Sequence, residues 1–393
     1  MPLELGAEFV HGRPAITWKL LHEAGLAAVD LPFDHRIRRG GRLVQLPNTD
    51  AELGKVFSGL PHLGSHDISF AQYLRNRPSG KGRGDARRFA VNFVEGFDAA
   101  DPERISAKSL AEEQEGIGDT EGQTQFRPLS GYGALIKYLH GSLDSKRVRI
   151  ALETSVSEIA WQKSGVQIRT DRQPAVLRAP RVIVTLPLGI LQIPPEAKGS
   201  IHITPDLPQK RAAAMKLASG PIVKAILQFE KPFWEDDAVA RAARADRGLR
   251  DAIFMHVTEA RFPTWWTLRP LRLPVLIGWA GGPKAVALAG LSKSELLQAA
   301  IDSLATLLGQ RPRRLISLLR KFDCKDWASD PFSRGAYSYV TVGGMRARAA
   351  LAKPIAGTLF FAGEATDTSG QASTVAGALI SGQRAAKEVL ASL

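Results

Sequence analysis

The spacing of apolar positions divides the chain into segments of different texture. Residues up to 12 read as extended, and residues 14–26 carry Ile16, Leu20 and Leu21 at helical spacing. Pro, Gly and charged residues break the stretch 34–105 into short pieces, and SGKGRG at 79–84 reads as a flexible loop. Helical patterns return at 106–115 and in SGYGALIKYLHGSL, residues 130–143. Strand patterns follow at 148–154, from Val156 through Ile159 to Trp161, and at 166–170, with a turn at Gly165. The run RVIVTL, residues 181–186, is rich in Val and Ile and stops at Pro187, as a buried strand of an α/β domain does.

Residues 207–217 predict a helix, and IVKAILQF predicts an apolar strand with one lysine. The charged, alanine-rich stretch 236–250 reads as a solvated helix or a mobile excursion. Segments 253–258, 265–268, 275–280 and 315–319 read as strands. Between them lies an amphipathic helix over 292–308. Ser292 can cap it, Glu295 sits three residues later, and Leu296, Ala300, Leu304 and Leu307 share a face.

The last sixty residues or so carry the clearest local signal. TLFFA, residues 358–362, predicts a buried strand that ends at Gly363 and Glu364. A polar loop runs to Ser373, and Thr374 caps a final helix. Strand, polar loop and helix N-terminus together form a crevice suited to a phosphorylated or anionic ligand. Ala376, Gly377 and Ala378 would let a flat group approach closely. The same pattern also fits a plain C-terminal docking helix, and the residues leave both readings open.

Composition narrows the classes. Of 393 residues, 44% are apolar, enough for a substantial core over two interleaved domains. No run approaches the ~20 apolar residues that span a bilayer, so no membrane partner is expected. The first residues lack a basic region followed by an apolar stretch, which points to a cytoplasmic protein. The one cysteine, Cys324, excludes an internal disulfide scaffold, and the eight histidines form no HExxH, so no metal is expected. The net charge of +13 is partly local, with six cations and one anion in 75–88 and a second cluster of Arg36, Arg38, Arg39 and Arg42. These clusters read as solvated loops. Without a zinc finger or an aromatic-interleaved basic motif, no nucleic-acid partner is expected.

Five segments in order carry a resemblance: LELGAEFVHG (3–12), RVIVTLPLGIL (181–191), PIVKAILQFEKPFW (221–234), WASDPFSRGAYSYV (327–340) and FFAGEATDTSGQASTVAGALISGQRAA (360–386). With them the chain resembles the flavin-containing amine oxidases, the group of monoamine and polyamine oxidases and flavin-type histone lysine demethylases. Bacterial-looking members are nearest.

The resemblance implies an α/β (α+β mixed) fold. A discontinuous FAD/NAD(P)-binding Rossmann-like domain would comprise 1–25, 126–203 and 346–393, and an inserted substrate domain 26–125 and 204–345. Relatives begin with a strand, a GxGxxG turn and a helix that hold the FAD pyrophosphate. This chain starts at LELGAEFVHG, which in relatives lies just after that unit, so the domain is expected to be N-terminally incomplete. A misplaced start or a damaged gene is the favoured cause. The stretch Gly80 to Gly84 follows no predicted strand and opens no predicted helix, so it does not substitute.

The implied activity is oxidation of an amine by noncovalent FAD. A hydride equivalent passes from the carbon beside nitrogen to flavin, O2 reoxidises the flavin to give H2O2, and water hydrolyses the imine. The alternative is a truncated, flavin-free remnant or binding scaffold, which would leave sheet edges exposed.

Site residues follow from the matched motifs. Lys224 matches the lysine that holds a water against flavin N5; read without the family, it could be an edge lysine snorkelling outward. Tyr339 matches the aromatic residue flanking the substrate amine. The loop with Thr368, Ser369, Gly370 and Gln371 supplies no second ring, so the two-ring cage looks incomplete. Trp327 is a packing residue or borders the pocket, with Gln371. Glu364 matches the carboxylate that accepts hydrogen bonds from the ribityl chain. Backbone groups of Thr374 and Val375 would meet the pyrimidine edge of the flavin. Val156 corresponds to a backbone contact with adenine. His11 either faces the substrate channel or is structural, and Glu8 is a weaker candidate of the same kind. No cysteine lies near the Gly363–Glu364 turn to bind flavin covalently.

Overall fold

The apolar run with one lysine forms the strand Ile222–Phe229, which lies one in from the edge of a seven-stranded sheet. In the computed structural model, residues 3–393 are described except 33, 47–48, 65, 78–82, 120–123, 173–174 and 198. The architecture mixes α and β elements in two compact units. The first unit comprises Met1–Val29, Glu112–Ser219 and Pro331–Leu393, and the second Asp30–Ala111 and Gly220–Asp330.

The second unit holds the large sheet. Its order is Leu319–Asp326, Ile222–Phe229, Val275–Gly281, Thr264–Thr267, Phe254–His256, His35–Arg39 and Arg42–Leu46. Neighbours run antiparallel except Phe254–His256 beside His35–Arg39. Alternation sends Val223, Ala225 and Leu227 to one face, where they join a core with Leu296, Ala300, Leu304 and Leu307 of the helix Lys293–Leu308. That helix opens with the expected capping box of Ser292 and Glu295 and stops at Gly309, whose φ of 63° suits a residue without Cβ.

Four expectations change in this unit. Residues 315–319 are mostly helical, because Pro312 opens the helix Pro312–Leu318 and turns Leu315 into the core; the strand begins at Leu319. Of the two readings of the stretch 236–250, the loose excursion falls, while most of its residues are exposed as in a solvated helix. The stretch starts with the helix Asp237–Ala242, and it buries Val239, Ala243 and Leu249 in the main core. Arg36 is not a solvated cation: it is fully buried and pairs with Asp34 at 2.6 Å and Asp246 at 3.0 Å. Of the expected loop 79–84, residues 79–82 lie outside the described residues, and Arg83 and Gly84 begin the helix Arg83–Gly96.

The first unit is built from smaller sheets. Val10–His11, Gln125–Pro128 and Ala28–Asp30 form one, with the helices Ala15–Glu23 and Gly131–Gly141 beside it. His202–Thr204, Val156–Gln162, Gly165–Thr170 and Val176–Ala179 form a second. The strand expected after Pro180 is Val182–Val184, which pairs in parallel with Leu359–Phe361, but it is not buried throughout, since Ile183 is 40% exposed. Leu217–Ser219 pairs antiparallel with Ser338–Val340. The final helix is Val375–Ala391.

One strand expected here is absent. Residues 148–154 have the alternating pattern but join no sheet among the described residues, and Leu152 is 80% exposed. Alternation predicts a two-faced extended segment; a ladder also needs a partner.

Candidate functional site

The C-terminal strand, loop and helix make the most organised polar corner of the first unit. After Leu359–Phe361, Gly363 turns with φ 122°, and its N–H donates to Ser381 Oγ of the final helix at 2.9 Å. The Asp367 carboxylate then folds the loop back. It accepts from the N–H of Ser369 at 3.1 Å and from that of Gln371 at 3.0 Å. The Gln371 carbonyl accepts from Thr374 Oγ1 at 2.7 Å, and Thr374 Oγ1 accepts from the Gly377 N–H at 3.1 Å. The cap expected from the sequence is therefore formed, and the loop carrying Gln371 is tied to it.

Gly377 is what lets this loop lie against the helix. A Cβ there would sit 2.0 Å from the Gln371 carbonyl oxygen. The first-turn N–H groups of the helix, starting at Val375, lack acceptors within the helix itself and concentrate positive potential at its start.

Glu364 is the centre of the corner. Its Oε1 accepts from the Ser338 N–H at 3.1 Å; its Oε2 accepts from Ser338 Oγ at 2.7 Å and from the Ser373 N–H at 3.0 Å. A carboxylate offers about four acceptor positions, so Oε1 retains room for one further donor. Through Ser338, Glu364 fixes the short strand that carries Tyr339. Tyr339 is buried and lies opposite Ala218 across the pair.

The second unit holds Lys224 in a different setting. It lies between Trp279 and Lys325 of the neighbouring strands and is completely buried. Its Nζ is 5.4 Å from the centroid of the Trp266 ring, itself buried. The snorkelling reading fails, because the strand is not at the edge of its sheet and the lysine side chain is 0% exposed. Trp327 continues the edge of this sheet: its N–H donates to the Ile222 carbonyl at 3.0 Å, and its ring lies 4.8 Å from Lys325 Nζ.

The remaining candidates lie elsewhere in the first unit. His11 is opposite Gln125 in the three-stranded sheet, and burial lowers its pKa to about 4, so the imidazole is neutral near pH 7. Glu8 forms a buried ion pair with Arg127 at 3.1 Å, which makes it a tether for the opening segment. Glu4 does similar work by accepting from the Tyr132 N–H at 2.7 Å, at the start of the helix Gly131–Gly141. Val156 begins its strand, where an irregularity between Val156 and Glu158 interrupts the ladder and turns backbone groups out of register. Hydrogen bonds thus bring Tyr339, Glu364, Gln371, Thr374 and Val375 to one corner, while Val156 and His11 sit on other sheets.

Sequence reasoning missed Ser338, Ser373 and Arg348 around Glu364, and Trp266 beside Lys224. Trp266 could have been found, because it belongs to a WW pair inside a predicted strand. The polar partners gave no local signal. Among the described residues, no group of three or more His, Cys, Asp or Glu is placed to hold a metal ion, and no helix is long and apolar enough to cross a membrane.

Comparison with known proteins gives the family and the fold. The family model described as flavin containing amine oxidoreductase matches residues 60–390, and the chain belongs to that family. FAD is the family's defining cofactor. Lysine-specific histone demethylase 1 homolog 3 of Arabidopsis thaliana is 32% identical over 269 residues, covering 66% of this chain but 15% of that protein. Human lysine-specific histone demethylase 2 is 29% identical over 316 residues, covering 78% of this chain and 35% of that protein. The chain therefore spans about a third or less of these relatives' length. Two solved structures share the fold. A putrescine oxidase bound to putrescine has a TM-score of 0.77 at 20% identity, covering 99% of this chain and 88% of that one. Cyclohexylamine oxidase from Brevibacterium oxydans IH-35A has a TM-score of 0.75 at 19% identity, covering 99% and 87%.

Proposed function

We propose that this chain is an FAD-dependent amine oxidase, with a small-molecule amine and O2 as substrates. The carrying observation is the corner built on Glu364, in a chain whose family uses FAD. The fit to the cofactor can be judged from the residues themselves. Glu364 Oε1 has acceptor capacity left for a ribityl hydroxyl, the first turn at Thr374 and Val375 offers N–H groups to an electron-rich edge, and Gly377 lets the Gln371 loop lie close against that turn. When bound, flavin supplies the two-electron acceptor for C–N oxidation.

The protein's part is orientation, dryness and proton handling. Tyr339 presents a buried ring suited to flank an amine, as the family resemblance implies. Lys224 holds donors in a dry setting and would position the water that takes part in flavin reoxidation. The helix start at Thr374 would favour negative charge on a bound electron acceptor. Val156 is proposed as the adenine contact, and His11, Trp327 and Gln371 as pocket residues. The first unit is proposed as the cofactor domain and the second as the substrate domain. The 393 residues contain no Gly-x-Gly-x-x-Gly run, and no residue here is assigned to the pyrophosphate.

A second reading has its own observation. Val148, Ile150 and Leu152 are 41%, 49% and 80% exposed on a segment outside every sheet, an apolar surface that suits a flavin-free binding protein. One measurement separates the two. After incubation with FAD and gel filtration, an oxidase retains about one flavin per chain and releases peroxide with some member of an amine panel. A colourless protein, silent with all amines, supports the second reading.

A further inference from the structure

The helix Ala347–Ala352 sends one more side chain into the corner at Glu364, and no motif announced it. Arg348 is largely buried, with 14% of its side chain exposed. Its Nη1 donates to Ser338 Oγ at 2.7 Å and to the Glu364 carbonyl at 3.4 Å. Its Nη2 donates to the Ser338 carbonyl at 3.2 Å and to Ser373 Oγ at 3.4 Å. Nη1 also lies 3.7 Å from Glu364 Oε2. One guanidinium thus touches three segments: the Tyr339 strand, the turn after the C-terminal strand, and the residue before the Thr374 cap.

We propose that Arg348 is a positioning residue, locking the Ser338–Val340 strand and the start of the final helix into one fixed arrangement. Three observations carry this. Ser373 holds φ 65°, a left-handed conformation that costs a non-glycine residue and persists only when its surroundings impose it. Those surroundings are its N–H bond to Glu364 and its hydroxyl bond to the Ser338 carbonyl, both at atoms or residues that Arg348 contacts. Glu364 accepts hydrogen bonds from both segments, and the Arg348 guanidinium lies 3.7 Å from its Oε2, so the same fork borders the carboxylate that joins them. Finally, the spread of acceptors fits a planar fork. A lysine ammonium is a point charge and would serve only part of the set.

Arg348 acts through Ser338 and Ser373, so its effect on a bound flavin or amine would be indirect. That consequence rests on the oxidase reading, but the positioning itself does not. The test therefore starts with the flavin-free full chain. Amide hydrogen exchange is compared for wild type, Arg348→Gln, Arg348→Lys and Lys210→Met. Lys210 contacts carbonyls at the other end of the same short helix and controls for simple loss of that helix. Arg348→Gln should raise exchange at residues 338–340 and 373–377 at least tenfold above any change elsewhere in the unit. Arg348→Lys should recover little of it, and added guanidinium should restore protection in Arg348→Gln. Lys210→Met should not reproduce the pattern. Unchanged protection at both segments, or a rise shared evenly with the rest of the unit, overturns the proposal. A second arm measures FAD retention. If wild type retains flavin, Arg348→Gln should hold it at least tenfold more weakly; equal retention counts against the proposal. If wild type retains none, the oxidase reading fails and the exchange result still decides the role of Arg348.

Discussion

Lys224 Nζ lies 5.4 Å from the centre of the Trp266 indole, and both side chains are buried within one sheet. A lysine in such a place costs desolvation that its surroundings must offset. Structural lysines tend to avoid that cost, so its presence here favours a chemical task. Lys224→Met keeps the shape and removes the charge. Its stability to urea should match or exceed wild type, since replacing a buried charge with an apolar side chain is often neutral or favourable. The rate of flavin reoxidation by O2 should fall by roughly 100-fold, the scale of a lost positioned proton donor. Stopped-flow mixing of reduced protein with O2 reads this directly; an unchanged rate removes Lys224 from the mechanism. Trp266→Ala should instead destabilise by about 3–5 kcal/mol through the cavity it leaves.

Acid should weaken this fold through its buried histidines. Burial lowers His11 and His256 to about 4, and His35 falls in the same direction through burial and the adjacent His256. His35 Nδ1 and His256 Nε2 are 3.2 Å apart, so the pair can share one proton bond only while at least one ring is neutral. Each histidine binds a proton more readily unfolded than folded. Their contribution is thus fully present above about pH 6.5 and is lost as pH falls toward 4. The effect is on the order of 3 kcal/mol for each group with a shift of that size. Urea midpoints measured from pH 7.5 to 4 should decline through this window, and His256→Phe should flatten the decline. A midpoint independent of pH over that range would contradict it.

Much of the framework was legible because its determinants are local. Ser292 with Glu295, and Thr374 before an apolar-faced run, announce helices through groups three residues apart. The strand Ile222–Phe229 was read to the residue because its alternation ends in turn residues on both sides. Apart from 315–319, where Pro312 was a local helix-start signal, what failed depended on partners distant in sequence. Residues 148–154 carry strand alternation, but pairing is supplied elsewhere or not at all. Arg36 looked solvated because its anions, Asp34 and Asp246, include one 210 residues away. The site split the same way. Glu364 and Thr374 stand in a continuous motif, whereas Arg348 and Ser338 reach them only after folding.

Lys210 offers a test of how the short helix Ala347–Ala352 is held. Its ammonium donates to the carbonyls of Ala350 at 2.9 Å, Leu351 at 2.7 Å and Lys353, and lies 4.0 Å from the Phe361 ring centroid. These are the carbonyls a helix C-terminus leaves without partners. Lys210→Met should strand them and cost about 1–3 kcal/mol, read as a lower urea midpoint with an unchanged slope. No loss would mean that water replaces the ammonium without penalty.

The sharpest test of the crevice is a single methyl group. Gly377→Ala would place Cβ 2.0 Å from the Gln371 carbonyl oxygen, well inside contact distance and against backbone on the loop side. Helix propensity alone would favour alanine by up to about 1 kcal/mol. Overpacking costs about 1–3 kcal/mol, and here relief requires the loop from Asp367 to Thr374 to move away from the helix. That movement would break the Thr374 Oγ1 bond to the Gln371 carbonyl and shift the first-turn N–H groups. Gly377→Ala should therefore be modestly less stable and lose FAD on gel filtration, although it removes no polar group. Gly382→Ala, later in the same helix with nothing within 4 Å of its added Cβ, should keep both flavin and stability. If the two variants behave alike, the close approach at Gly377 has no part in holding the cofactor.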